Sequence, residues 1–117
     1  MWQMLGYVAL GGALGSVMRA LVGMGVAFPF GTLTVNALGS FAIGIAWALG
    51  VSKMPGLYPF LMVGLLGGFT TFSTFSLDVL RLYEGGQGAG ALGYILASLV
   101  LSIGAVVLGL ALGGRVS

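Results

Sequence analysis

Three stretches of this sequence, Ala20 to Ser52, Met54 to Leu77 and Gly85 to Gly114, contain no charged side chain. Each is longer than the ~20 apolar residues that a helix needs to cross a bilayer. The whole chain of 117 residues carries four cationic and two acidic side chains, and 59% of it is hydrophobic. So few charges cannot clothe a soluble domain, and the mean hydropathy of +1.17 agrees; the chain is an integral membrane protein built from helices. A net charge of +2 spread over four separate cations forms no basic patch, which argues against a nucleic-acid partner. The absence of Cys excludes disulfides and thiolate chemistry, and the absence of His removes the usual metal ligand and proton shuttle. The start, Met1-Trp2-Gln3, has no basic leader, so the first apolar run is expected to be a retained span.

Hydropathy and turn residues predict one domain over residues 1–117 with four spans, at about 2–22, 32–50, 57–82 and 91–112. In the first, Gly11, Gly12, Gly15 and Ser16 make a small-residue face of the kind that lets helices approach closely. Arg19 lies towards its far end, where it can snorkel to the interface or attract anions at a water-filled mouth. In the second, Thr32, Asn36 and Ser40 stand four apart on one face. Asn36 is the only amide away from a span end, suited to a polar path or to bonding between helices. Pro59 fits the first turn of the third span. Asp78 and Arg81, at its end, are spaced to pair. The fourth span offers Tyr94, Ser98 and Ser102, again at four-residue spacing, as a polar track.

Gly67 to Ser76 stands out, with two glycines, three phenylalanines and five hydroxyl residues in the middle of the third span. Adjacent glycines weaken a helix, and hydroxyls compete for its backbone hydrogen bonds. The third helix is therefore expected to break near mid-membrane, around Gly67 to Thr71. Lys53, Arg115 and the amino terminus would share one side of the membrane, with Arg19 and Arg81 on the other. Orientation follows the Lys/Arg bias of the loops, and here there is almost none. Insertion both ways round and an antiparallel, dual-topology homodimer follow as the expected state.

At such a break, freed carbonyls suit a hard cation such as Na⁺, held between two subunits. Phe72 and Phe75 share a helix face, and the positive edges of their rings can receive an anion. Ser73, Thr74, Asn36, Ser98 and Ser102 supply donors that could replace its water. Weak sites in series are what conduction needs. The residues alone thus predict a polar path for a small ion, an anion by the chemistry of its lining.

The blocks Gly11-Gly12-Ala13-Leu14-Gly15 with Arg19, Gly31-Thr32-Leu33-Thr34-Val35-Asn36 with Gly39-Ser40-Phe41, and Gly67 to Ser76 closely resemble those of the Fluc/CrcB family of bacterial fluoride channels. The resemblance spans nearly the whole chain. It implies a passive fluoride channel in the inner membrane, with two antiparallel pores per homodimer and a structural Na⁺ at its centre. It implies backbone carbonyls of Gly67 and Thr70 as the Na⁺ ligands and Phe72 and Phe75 as ring-edge fluoride ligands. Asn36, Ser98, Ser102, Tyr94 and Thr32 would line the track, and Arg19 would stand at the vestibule. Asp78 departs from the family, which usually has Glu there, and the shorter carboxylate reaches less far.

A second class with this outline is the small multidrug resistance family of proton-coupled exporters, also short and dual-topology. Its chemistry needs a carboxylate within the membrane. The acids here, Asp78 near a span end and Glu84 in a loop, argue against it. No nucleophile–base pair or metal cluster suggests an enzyme.

Overall fold

The computed structural model describes the backbone of residues 1–116 and the side chains of residues 1–114. The Arg115 side chain, counted above in the charge balance, lies outside the described residues. Helix α1 spans Trp2–Gly25 and α2 spans Phe30–Ala48. A 3₁₀ turn at Val51–Lys53 leads into wide π-helical turns at Tyr58–Leu65, which run on into α3, Leu66–Phe69. Helix α4 covers Phe72–Glu84 and α5 covers Gly88–Val116. Four helical segments are long and apolar enough to cross a membrane: Trp2–Gly25, Phe30–Ala48, Tyr58–Glu84 and Gly88–Gly114. The long dimension of 47 Å matches a bilayer with its headgroup layers.

The four expected spans are present, with edges shifted by local chemistry. The fourth starts earlier than anticipated because α4 is closed off abruptly. Gly86, at φ +82°, takes the left-handed conformation that ends helices, and its N–H donates to Tyr83 O (3.1 Å) while Gln87 N–H donates to Leu82 O (2.9 Å). That is the paired closure of a Schellman cap, and α5 begins two residues later. The first half of the third span winds more widely than an ordinary helix, with Leu66 N–H reaching back to Leu61 O. Pro59 sits in its first turn as expected.

Small residues set the packing. Helix α1 lies along the π-helical turns and α3, and α2 lies along α5, which is the most extensive contact in the molecule. A Cβ at Gly15 would run into Leu65 O, and one at Gly109 would run into Phe41 O. Both positions need glycine for the approach itself. Many large apolar side chains point outwards, as lipid permits, and most of the buried ones form two small clusters. One holds Phe75, Leu82, Ala91 and Tyr94 between α4 and α5. The other holds Ala46, Val51 and Met62 at the Lys53 end.

Candidate functional site: a clamped break in the third span

The third span breaks where the sequence is richest in hydroxyls. Gly67 and Gly68 remain helical, and the two residues that leave the helix are Thr70 (φ −88°, ψ 159°) and Thr71 (φ −153°, ψ 123°), both extended. The glycines are not the break itself. Gly68 allows α1 to approach, since a Cβ there would lie 2.9 Å from Gly12 O and 3.2 Å from Ser16 Oγ. Gly39 of α2 does the same on the other side, where a Cβ would collide with the Thr70 methyl group.

An unpaired backbone group costs several kcal/mol in hydrocarbon, so the break survives only if other groups serve it. Asn36 does so from α2 at both polar atoms of its amide. Its Nδ2 donates to Thr71 O (3.0 Å), and its Oδ1 accepts from Thr71 N–H (2.7 Å). Thr71 caps α4 by accepting from Thr74 N–H at Oγ1 (3.2 Å), the usual role of a threonine before a helix. Thr70 closes α3, giving both its N–H (3.1 Å) and its hydroxyl (3.0 Å) to Leu66 O. Arg19 arrives from α1 and donates from Nε to Gly68 O (2.9 Å). The arginine read from sequence as lying towards a span end therefore works at the depth of the break. Gly12, Ser16 and Arg19 fall on one face of α1, which explains how it gets there.

Two cavities flank the break. The larger, about 320 Å³, is lined by Asn36, Gly67, Thr70, Phe72, Phe75, Ser98 and Ser102, with Gly39, Ser40 and Thr71 among its other walls. The Phe72 and Phe75 rings stand 5.6 Å apart and tilted by 56°, a geometry that turns a ring edge towards its neighbour. Phe75 is 9% exposed and Phe72 76%. A smaller cavity of about 170 Å³ on the other side of Thr71 gathers Arg19, Thr32 and Thr74. Ser73 lines neither; its hydroxyl lies 3.4 Å from that of Thr71.

Tyr94 lines neither cavity and stands beside the first. Its ring packs on Phe75 at 5.4 Å and its hydroxyl donates to Asp78 Oδ2 (3.1 Å). Thr32 and Ser98 flank that hydroxyl, yet Ser98 Oγ, in a residue 6% exposed, completes no hydrogen bond of its own. The sequence reading of Asp78 needs correction here. It is 3% exposed and turns to Tyr94 instead of Arg81, whose guanidinium lies 4.0 Å above the Phe28 ring. The i, i+3 spacing allowed a pair, but burial against α5 offered Asp78 a hydroxyl donor, and Phe28 offered Arg81 a ring face. Sequence reasoning also missed Gly39 as part of the site and, with Thr71 already set at the edge of the break, missed its part as the cap of α4. Gly39 beside Ser40 was the available signal for the first, and a threonine three residues before Thr74 for the second.

Residues 6–110 match the model of a family described as CrcB-like protein, Camphor Resistance (CrcB). The chain belongs to the CrcB family. It is 50% identical over 119 aligned positions to a Rhodospirillum centenum protein named fluoride-specific ion channel FluC, covering 94% of each. A protein of the same name from Rhizobium meliloti is 53% identical, over 90% of this chain and 91% of its own. One from Paracoccus denitrificans is 52% identical, over 91% and 90%. As a CrcB protein the chain is a multi-pass membrane transport protein and not an enzyme.

Proposed function

We propose that this protein is a passive, fluoride-selective channel that releases fluoride across the bacterial inner membrane. It works as an antiparallel, dual-topology homodimer with two pores. The observation that carries the reading is the company kept by the two phenylalanines. Phe72 and Phe75, 5.6 Å apart, share one cavity at the break with Asn36, Ser98 and Ser102. Ring edges there present positive charge without a titratable proton. The buried Ser98 hydroxyl beside them still has hydrogen-bonding capacity to offer. A track of weak ligands of this type lets an anion leave as readily as it enters. Kinship with channels named for fluoride, at about half identity over nine-tenths of the chain, selects that anion.

The dimer is supported by the balance of cations between the two ends and by Phe72, whose ring is largely uncovered in one chain. A second, inverted copy would cover it and complete each pore. The carbonyls of Gly67 and Thr70 suit a central Na⁺ because the N–H groups that would serve them in a continuous helix are taken. Thr71 N–H goes to Asn36, and Thr74 N–H goes to Thr71 Oγ1. Neutral oxygen donors are what a hard monovalent cation prefers. When bound, Na⁺ would join the two subunits and add a fixed positive charge near the pores.

Purified protein in liposomes should release fluoride down its gradient far faster than a carrier could, while chloride is almost retained. Phe72→Ile and Phe75→Ile should each cut fluoride efflux while the dimer persists on size-exclusion chromatography. Equal chloride flux would overturn the channel reading, and full efflux from both variants would return the two rings to plain packing. A requirement for a pH gradient would favour a proton-coupled exporter of the small multidrug resistance type instead. The buried Asp78 would be its carboxylate, although Asp78 accepts from Tyr94 and lies outside the walls of the central cavity.

A further inference from the structure

The last turn of any helix leaves its carbonyls without N–H partners, and at the end of α3 two other helices decide which of them are served. Leu66 O receives both donors of Thr70. Gly68 O receives Arg19 Nε. Beyond the break, Thr71 O receives Asn36. The N–H groups due to Gly67 and Thr70 are diverted to Asn36 and Thr71 Oγ1. Gly68 thus lies next to an unserved carbonyl, and successive helical carbonyls point the same way along the axis. Without Arg19, Gly68 O would be a further negative end in the same gap, and the tip of α3 would lose its one hydrogen bond to α1.

We propose that Arg19 is a positioning residue for the carbonyl cation site. By holding Gly68 O it fixes the end of α3 so that the Gly67 and Thr70 carbonyls face the Na⁺. The inference rests on the reading of those two carbonyls as the Na⁺ ligands. The seat for this bond is built into α1, because Gly12 and Ser16 of the same face lie against Gly68 and set the distance. What matters in Arg19 is the Nε–H donor. Its positive charge stands near a cation and by itself opposes binding.

The two roles open to Arg19, donor and charge, separate by substitution. Gln Nε2 lies the same number of bonds from Cα as Arg Nε, so Arg19→Gln keeps an N–H in place and removes the charge. Arg19→Met removes both, and Arg19→Lys keeps the charge while moving the donor one bond further out. The measurement is thermal unfolding of the full-length purified protein, titrated with NaCl at constant ionic strength against N-methylglucamine chloride. Wild type should be stabilised saturably by Na⁺. Arg19→Gln should half-saturate within about threefold of the wild-type Na⁺ concentration, and Arg19→Met about tenfold higher, the scale of one lost hydrogen bond to a charged group.

Equal shifts in Arg19→Gln and Arg19→Met would overturn the inference in favour of charge, and an unshifted Arg19→Met would remove Arg19 from the site. If Arg19→Met fails to fold, Arg19→Gln against Arg19→Lys decides. A higher half-saturating Na⁺ concentration in Arg19→Lys than in wild type, at equal charge, supports the donor role, and an unshifted Arg19→Lys beside a weakened Arg19→Gln refutes it. A wild type indifferent to Na⁺ would refute the carbonyl site itself, a different failure that takes the Arg19 inference with it.

Discussion

The contact of α1 with the third span and the contact of α2 with α5 are built alike and used differently. Both depend on glycines that bring backbone against backbone, Gly11 and Gly15 in one, Gly44 and Gly109 in the other. Along α2 and α5 the helices run unbroken past each other. At the third span the partner stops being a helix at Thr70 and Thr71, and the same closeness lets α1 and α2 send Arg19 and Asn36 into the gap. Small residues in membrane helices supply proximity. Polar side chains become binding machinery only where the opposing backbone has groups to give.

That comparison is most directly broken at Asn36. Asn36→Ala would strand both the N–H and the C=O of Thr71, each costing about 1–3 kcal/mol when left unpaired. The largest loss of thermal stability and of fluoride efflux is therefore expected in that variant. If Asn36→Ala unfolds no earlier than wild type, the break is not held from α2.

Glycine substitutions come next and should affect both contacts. Gly15→Ala and Gly109→Ala each drive a methyl group into a carbonyl, an overpacking cost of about 1–3 kcal/mol. Gly15→Ala should also reduce fluoride efflux, because it displaces the helix that carries Arg19, whereas Gly109→Ala should lower stability with a smaller effect on flux. Liposome efflux beside unfolding curves would show the split, and equal loss of flux would erase the distinction between the two contacts.

A smaller effect is expected from Thr71→Val, which keeps the shape of the side chain and removes the helix cap on Thr74 N–H, at about 1 kcal/mol. Tyr94→Phe should reduce efflux least, since the ring stays on Phe75 and the hydroxyl lines neither cavity, while the lost bond to the buried Asp78 costs about 1–3 kcal/mol of stability. A fall in efflux larger than that of Thr71→Val would mean that the Tyr94 hydroxyl takes part in conduction.

Much of this was legible in the sequence. Four spans follow from charge-free runs, and the interruption of the third follows from Gly67 to Ser76, because both depend on local composition. The same holds for the polar files of Thr32, Asn36 and Ser40 and of Tyr94, Ser98 and Ser102, since helical spacing alone puts residues four apart on one face. Within the expected stretch the break falls at Thr70 and Thr71 and not at the glycines. In isolation they are weak helix formers, but Gly68 and Gly39 are spent on admitting α1 and the Thr70 methyl group, and the threonines are left to bend.

Arg19 and Asp78 mark the other limit. Position along a span suggested the interface for both, yet Arg19 reaches Gly68 O and Asp78 is buried against Tyr94. Neither partner could be read from spacing, because each lies on another helix. The sequence by itself determined a membrane protein of four helices, a break in the third, and the kinds of side chain near it. The tertiary structure alone decided which carbonyls at that break are served and which stay free. Hydrogen bonds in a medium without water must be closed by whichever helix packs close enough to close them.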